Sequence, residues 1–261
     1  MQKTALTFTV TTLVLGIFGA FLHWLQLMNA FDKETGFILP GAGTTVVFVI
    51  YCVLAAAVFC LLTALWLGRY SGAADAETAL NCKNVIPFVV GWVLCAVFAA
   101  ASFSQLFSAG TSGQPMLQRI FGAFGIVAAL SIPFLFGKRE GRNAGPMGRP
   151  AAFVITLFFC FWLVYDYKAI SRDPLTWNFA VEILAIAAST VALYYIAQHF
   201  YGVGKSRPAL IALQLGVFLN ITVLFEERET ALNLLHGGAA VLQLLLEFLL
   251  ISNLREKRDG E

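Results

Sequence analysis

Long apolar stretches, separated by short charged or Gly/Pro-rich connections, fill the 261-residue sequence almost from end to end. A helix needs about 20 apolar residues to cross roughly 30 Å of hydrocarbon. Eight stretches reach this length, and none shows the alternating polarity of a membrane β-strand. The predicted spans are 5–29, 44–68, 85–107, 117–137, 151–170, 177–201, 209–225 and 230–253. The sequence therefore predicts an all-α integral membrane bundle, with residues 1–261 forming a single domain.

Composition supports a membrane protein. Hydrophobic residues make up 59% of the chain, charged residues only 12%, and the mean hydropathy is +0.79. A soluble globule of this size would need more polar surface. The net charge is only +2, and no soluble basic face carries interleaved aromatic residues, so nucleic acid is not an expected partner. The expected partner is the lipid bilayer, and the sequence names no protein partner.

The placement of basic residues predicts the orientation of the bundle. Loops rich in Lys and Arg are retained in the cytoplasm. With the N-terminus inside, twelve of the seventeen Lys and Arg residues lie on the cytoplasmic side, whereas the outer loops are acidic or neutral. Both termini are therefore predicted to be cytoplasmic. The first span lacks a clear cleavage site and is expected to be retained rather than removed as a signal peptide.

Polar residues inside several spans recur at helical spacing. Residues three or four apart share a helix face, so polar and small residues at this spacing mark the side turned away from lipid. The faces are Thr12, Gly16, Gly19, His23 and Gln26 in the first span, Glu182, Ser189 and His199 in the sixth, and Asn233, His236, Gln243 and Glu247 in the last. An uncompensated charge near the bilayer centre costs at least about 2.5 to 3.5 kcal/mol. Glu182 and Glu247 are therefore expected to be protonated, paired or facing water.

The predicted topology brings several of these groups to one depth, the outer half of the bundle. The candidate ligand-binding residues are His23, Gln26, Asp166, Glu182, Asn220, Asn233 and His236. A site formed by them would lie between spans one, five, six, seven and eight and open outward. The topology predicts the depth of these residues in the membrane. It does not predict whether they lie close together in the membrane plane.

Three interpretations of this set remain open. Imidazole and carboxylate groups suit zinc or manganese, so His23, Asp166, Glu182 and His236 are candidate metal ligands for an intramembrane metal-dependent hydrolase. The same groups could instead bind a small polar solute or ion in a transporter, or relay protons. They could also hydrogen-bond between helices, at about 0.6 kcal/mol per pair. The last interpretation, with a structural, accessory or regulatory role, is the leading prediction. No catalytic residue or cofactor is assigned.

The five cysteines lie inside predicted helices or on the cytoplasmic side, and no two form a C-x-x-C pair. This arrangement favours neither a disulfide nor a thiolate metal site.

Several short strings resemble those of a group of uncharacterised multi-pass membrane proteins from clostridia-like bacteria. They are Leu25-Gln26-Leu27, Ala30-Phe31-Asp32, Thr35-Gly36, Ser171-Arg172-Asp173-Pro174 and Tyr194-Tyr195-Ile196-Ala197. The resemblance implies a location in the bacterial plasma membrane. It implies no activity.

Overall fold

A computed structural model shows a bundle of long helices. It describes residues 2–32, 37–39, 41–67, 70–82, 84–108, 115–136, 147–170, 180–226 and 229–256. The helices are α1 (Gln2–Asn29), α2 (Gly43–Leu67), α3 (Ala76–Ala79), α4 (Ile86–Phe107), α5 (Pro115–Leu135), α6 (Gly148–Ile170), α7 (Ala180–Phe200), α8 (Ser206–Thr222) and α9 (Thr230–Ser252). In the described part of the chain, all except α3 are long and apolar enough to cross a membrane. The prediction of an eight-span helical bundle is confirmed.

Proline marks the starts of three helices that begin within three residues of the predicted positions. Helices α5, α6 and α8 begin two or three residues before the predicted starts at 117, 151 and 209. Each has a proline in its first turn: Pro115, Pro150 and Pro208. The first turn tolerates proline because its backbone N–H groups have no partner within the helix. The predicted start at residue 177, the predicted ends at 68 and 137, and residues 171–174 lie outside the described residues.

The bundle turns apolar side chains outward and encloses polar ones. Leu65 and Met116, for example, are 73% and 75% exposed on its surface. Helices α8 and α9 are central, since 61% and 67% of the residues in their most apolar windows are buried, against 17% in α2. Helix α8 packs against α1, α2, α7 and α9. Polar side chains on α8 and α9 are therefore shielded from lipid.

One end of the bundle contains a small antiparallel β-pairing. Strand β1 (Tyr70–Ser71) follows α2, and β2 (Arg255–Glu256) follows α9. The backbone N–H of Gly204, between α7 and α8, donates to the Ala74 carbonyl oxygen at 3.0 Å in the same region. Connections after the second, sixth and eighth spans thus meet at what we call the β-paired end. The other end, with residues 30–32, 37–39, 41–42, 226 and 229, is the opposite end.

Glycine allows helices to approach closely. A Cβ atom on Gly19 of α1 would lie 2.8 Å from Cε2 of Phe218 and 2.9 Å from Oγ1 of Thr222, both on α8. A Cβ on Gly122 of α5 would lie 2.7 Å from backbone atoms of α4. Small residues at helix contacts are typical of membrane bundles. Gly19 thus lies on the side of α1 that contacts α8, and the prediction that this face turns away from lipid is confirmed there.

Candidate functional site

The structure divides the seven candidate residues between two polar groups and two further positions. All seven belong to the helix halves nearer the opposite end. Glu182, Asn220 and His236 come together between α7, α8 and α9. His23 and Gln26 form a separate group on α1. These five residues therefore make two centres rather than one.

The first centre, which we call the central triad, consists of Asn220, His236 and Glu182. The His236 Nδ1 atom lies 2.8 Å from Oδ1 of Asn220, and its Nε2 atom lies 3.4 Å from Oε1 of Glu182. None of the three side chains is more than 3% exposed. The ring of Trp162 on α6 packs against His236 with 4.7 Å between ring centroids. An imidazole is thus held between an amide and a carboxyl group in a dry part of the bundle.

Two further side chains support the amide of the central triad. The Asn220 Nδ2 group donates to the Gly216 carbonyl oxygen and to Ser189 Oγ, both at 2.7 Å. Gln243 Nε2 also donates to Ser189 Oγ at 2.8 Å, and the Ser189 hydroxyl donates to the Ala185 carbonyl oxygen at 2.7 Å. Gly216 leaves the space that Gln243 occupies, since a Cβ there would overlap Oε1 of Gln243. The network joins α7, α8 and α9.

The second centre, the edge triad, consists of Gln26, His23 and Glu226. His23 Nδ1 lies 3.1 Å from Oε1 of Gln26, and Nε2 lies 2.7 Å from Oε1 of Glu226. Gln26 Nε2 donates to Thr45 Oγ1 at 3.3 Å, and Phe48 stacks on the imidazole at 4.9 Å. The order amide, imidazole, carboxyl is the same as in the central triad. Sequence reasoning missed Glu226 as a partner because it read the residue as part of an external loop.

Acidic groups gather beside the central triad. The Tyr165 phenol on α6 is within Coulombic range of the carboxyl groups of Glu229, Asp166 and Glu182. Asp166 is buried, whereas Glu229 is exposed at the start of α9. Glu229 also accepts a 2.7 Å hydrogen bond from Nε2 of Gln105 on α4. Three carboxyl groups therefore lie around Tyr165.

The seventh candidate, Asn233, lies near the start of α9 and is half-buried. Its Oδ1 atom is buried and accepts no hydrogen bond within the described part of the chain. The structure does not place Asn233 in either triad.

A third polar group surrounds Glu247, deeper in the bundle. Its Oε1 atom accepts hydrogen bonds from Oγ1 of Thr12 at 3.1 Å and from Nε2 of Gln214 at 3.3 Å. Thr63 Oγ1 donates to Oε1 of Gln214 at 3.2 Å. Glu247 is therefore paired with neutral donors from α1 and α8, one of the arrangements expected for it. Sequence reasoning overlooked Gln214, although an amide in an apolar span is a signal of a helix contact.

His199, toward the β-paired end, has a different environment. Its Nδ1 lies 2.9 Å from the Tyr195 carbonyl oxygen, one turn earlier in α7, and Nε2 has no hydrogen-bond partner among the described residues.

The described residues contain no group of three or more His, Cys, Asp or Glu side chains that could hold a metal ion. His23 lies with Glu226 rather than with the other proposed ligands. A groove of about 500 Å³ lies between α7 and α8, but its lining is apolar and includes none of the candidate residues. Neither feature adds a candidate binding residue to the two triads.

The fold and these networks define a class, the multi-pass helical membrane proteins with buried interhelical polar groups. No protein-family model matches the chain, and no similar curated protein or solved structure was found.

Proposed function

We propose that the protein is a membrane-embedded structural, accessory or regulatory component whose buried polar groups hold its helices in register. One observation supports this proposal: side chains of the three polar groups hydrogen-bond across helices inside a closed core. These bonds link α1 to α9, α2 to α8, and α7 to both α8 and α9. Hydrogen bonds between membrane helices contribute about 0.6 kcal/mol on average. Together they favour one rotation and depth for each helix.

The same proposal includes the location and orientation. The bias of Lys and Arg supports a β-paired end that faces the cytoplasm. The resemblance to clostridia-like membrane proteins supports a bacterial plasma membrane.

A small-solute or ion transporter is the second candidate. The observation in its favour is that three carboxyl groups, exposed Glu229 and buried Asp166 and Glu182, lie within Coulombic range of Tyr165. Ionisable residues inside membranes commonly mark substrate or ion pathways. The metal-dependent hydrolase has no ligand group in the described part of the chain, and we do not propose it further.

Vesicle flux separates the two candidates. The full chain would be reconstituted into liposomes of bacterial lipid that contain a pH-sensitive dye and potassium. We expect proton and potassium fluxes equal to those of protein-free vesicles. A flux that the protein raises and that Glu182→Gln abolishes, with the helical content unchanged by circular dichroism, would contradict the proposal and support transport.

A further inference from the structure

The hydrogen bonds around Asn220 determine which ring nitrogen of His236 carries a proton. A carbonyl oxygen only accepts, so the Ser189 hydroxyl must donate its single proton to the Ala185 carbonyl oxygen. The Ser189 oxygen then accepts from Asn220, and the Gly216 carbonyl oxygen accepts from the same amide nitrogen. Both contacts identify the Asn220 atom that faces them as nitrogen.

The remaining atom of the Asn220 amide is therefore Oδ1, which only accepts. It lies 2.8 Å from Nδ1 of His236, so this nitrogen must carry a proton and donate. A neutral imidazole has one N–H group, which leaves a lone pair on Nε2. That lone pair faces Oε1 of Glu182 at 3.4 Å.

Two acceptors facing each other in a dry core repel, whereas one proton between them removes the conflict. The proton can reside on the carboxyl group, giving two neutral groups, or on the imidazole, giving an ion pair. In both cases the pair has no net charge. Without the proton the pair itself carries one negative charge, and a buried charge is costly unless it is compensated.

We propose that Glu182 and His236 form a site that binds one exchangeable proton inside the bundle. Uptake from the aqueous phase changes the charge of the pair from minus one to zero, and Asn220 holds the imidazole in the orientation that receives the proton. Among the described residues, Tyr165 on α6 is within Coulombic range of Glu182 itself, of Asp166 on α6 and of Glu229 at the start of α9. A carboxylate charge close to the pair favours its protonated form.

The edge triad has the same order of groups but a less strictly determined orientation. The Gln26 amide contacts the Thr45 hydroxyl, which can donate or accept. The inference is therefore drawn for the central triad, where backbone carbonyl groups remove this freedom.

Nitrogen-15 NMR of the histidine rings tests the proposal directly. The chain has only three histidines, so selective labelling of the full protein in lipid yields few signals, and His23→Gln and His199→Gln variants assign them. Spectra would be recorded from about pH 4 to about pH 9, a range that brackets the ordinary titration of carboxyl and imidazole groups. His199, whose Nδ1 contacts a backbone carbonyl and not a carboxylate, is the internal control.

We expect Nδ1 of His236 to carry a proton throughout, and the Nε2 signal to report one titration. Glu182→Gln should abolish that titration, because the glutamine amide can donate to Nε2 without exchanging a proton with it. Asn220→Leu should raise the population of the Nε2–H tautomer at least about tenfold, which corresponds to about 1.4 kcal/mol.

An unprotonated Nδ1 in the unmodified protein would overturn the proposal without any variant. So would a His236 titration that is unchanged in Glu182→Gln. Unchanged His199 signals in the variants would establish that the bundle remains folded.

Discussion

At the opposite end of the bundle, side chains join the helices, whereas at the β-paired end backbone groups carry many of the contacts. The first region contains both triads and the carboxyl groups around Tyr165. The second contains the β1–β2 pairing, the Gly204–Ala74 bond and the bonds from Asn253 to the Ala79 and Asn81 carbonyl oxygens. The difference shows that two of the three histidines, His23 and His236, lie where side chains, and not backbone groups, connect the helices.

The largest expected effect is on the alkylation rate of a buried thiol at the β-paired end. Cys82 lies there outside the spans, and burial raises the pKa of its thiol to about 11. Alkylation requires the thiolate. At pH 8 we expect Cys82 to react at least about a hundredfold more slowly than an ordinary exposed thiol with a pKa of about 8.5. The rate should rise about tenfold per pH unit until the pKa is approached.

A cysteine introduced at exposed Ala74, on the same end, is the matched control. Mass spectrometry of peptides after timed exposure to iodoacetamide measures both sites in one protein. Equal rates at Cys82 and Ala74→Cys would show that this end is open to water.

The next effect concerns close helix packing near the opposite end. In Gly122→Ala the new Cβ would lie 2.7 Å from the Leu106 nitrogen and the Ser102 carbonyl oxygen, and backbone atoms cannot move aside easily. We expect a loss of about 1 to 3 kcal/mol in the free energy of unfolding, as for other overpacked cores. Unfolding in mixed micelles, followed by circular dichroism, measures this loss.

Gly237→Ala is the matched control, since its Cβ would come no closer than 3.8 Å to Leu224. It should be neutral or slightly stabilising, because alanine favours helix more than glycine does. If both variants had the same stability, the close contact between α4 and α5 would be in doubt.

A smaller loss is expected at the β-paired end. Asn253→Ala removes two side-chain hydrogen bonds to backbone carbonyl oxygens, at 3.2 Å and 3.0 Å. The free energy of unfolding should fall by about 0.5 to 1.5 kcal/mol. The triads should be unaffected, which unchanged histidine NMR signals would verify. Altered His23 or His236 signals would mean that the two ends are coupled.

The smallest effect is expected in the third polar group, around Glu247. Glu247→Gln retains an oxygen that can accept from Thr12 and Gln214, so the free energy of unfolding should change by less than about 0.5 kcal/mol. Glu247→Leu is the contrasting variant, because it leaves Nε2 of Gln214 without this acceptor, whereas the Thr12 hydroxyl keeps the Phe8 carbonyl oxygen. Equal losses in the two variants would show that the hydrogen bonds to Oε1 are unimportant.

Span number and span length could be predicted because the thickness of the bilayer constrains them directly. The starts of α5, α6 and α8 lie two or three residues before the predicted ones, because hydropathy does not distinguish a helix-breaking proline from one in a first turn. The end of the bundle at which each candidate polar residue lies could also be predicted, because helix direction alternates along the chain.

The hydrogen-bond partners of the polar side chains could not be predicted, because they depend on the rotation and packing of each helix. Asn220 and His236 lie on neighbouring helices, but His23 reaches Glu226 only because a 3-10 turn, Val223–Phe225, continues α8. The pairing of β1 with β2 joins residues from opposite halves of the sequence and has no local signal.

The central claim is that buried polar side chains stabilise the bundle by direct contact between helices. A double-mutant cycle on Asn220 and His236 tests it most directly, using Asn220→Leu, His236→Leu and the double variant. Unfolding free energies in lipid micelles should give a coupling of about 0.6 to 1.7 kcal/mol, the range of hydrogen bonds between membrane helices. A coupling of zero, with all variants folded, would contradict the account.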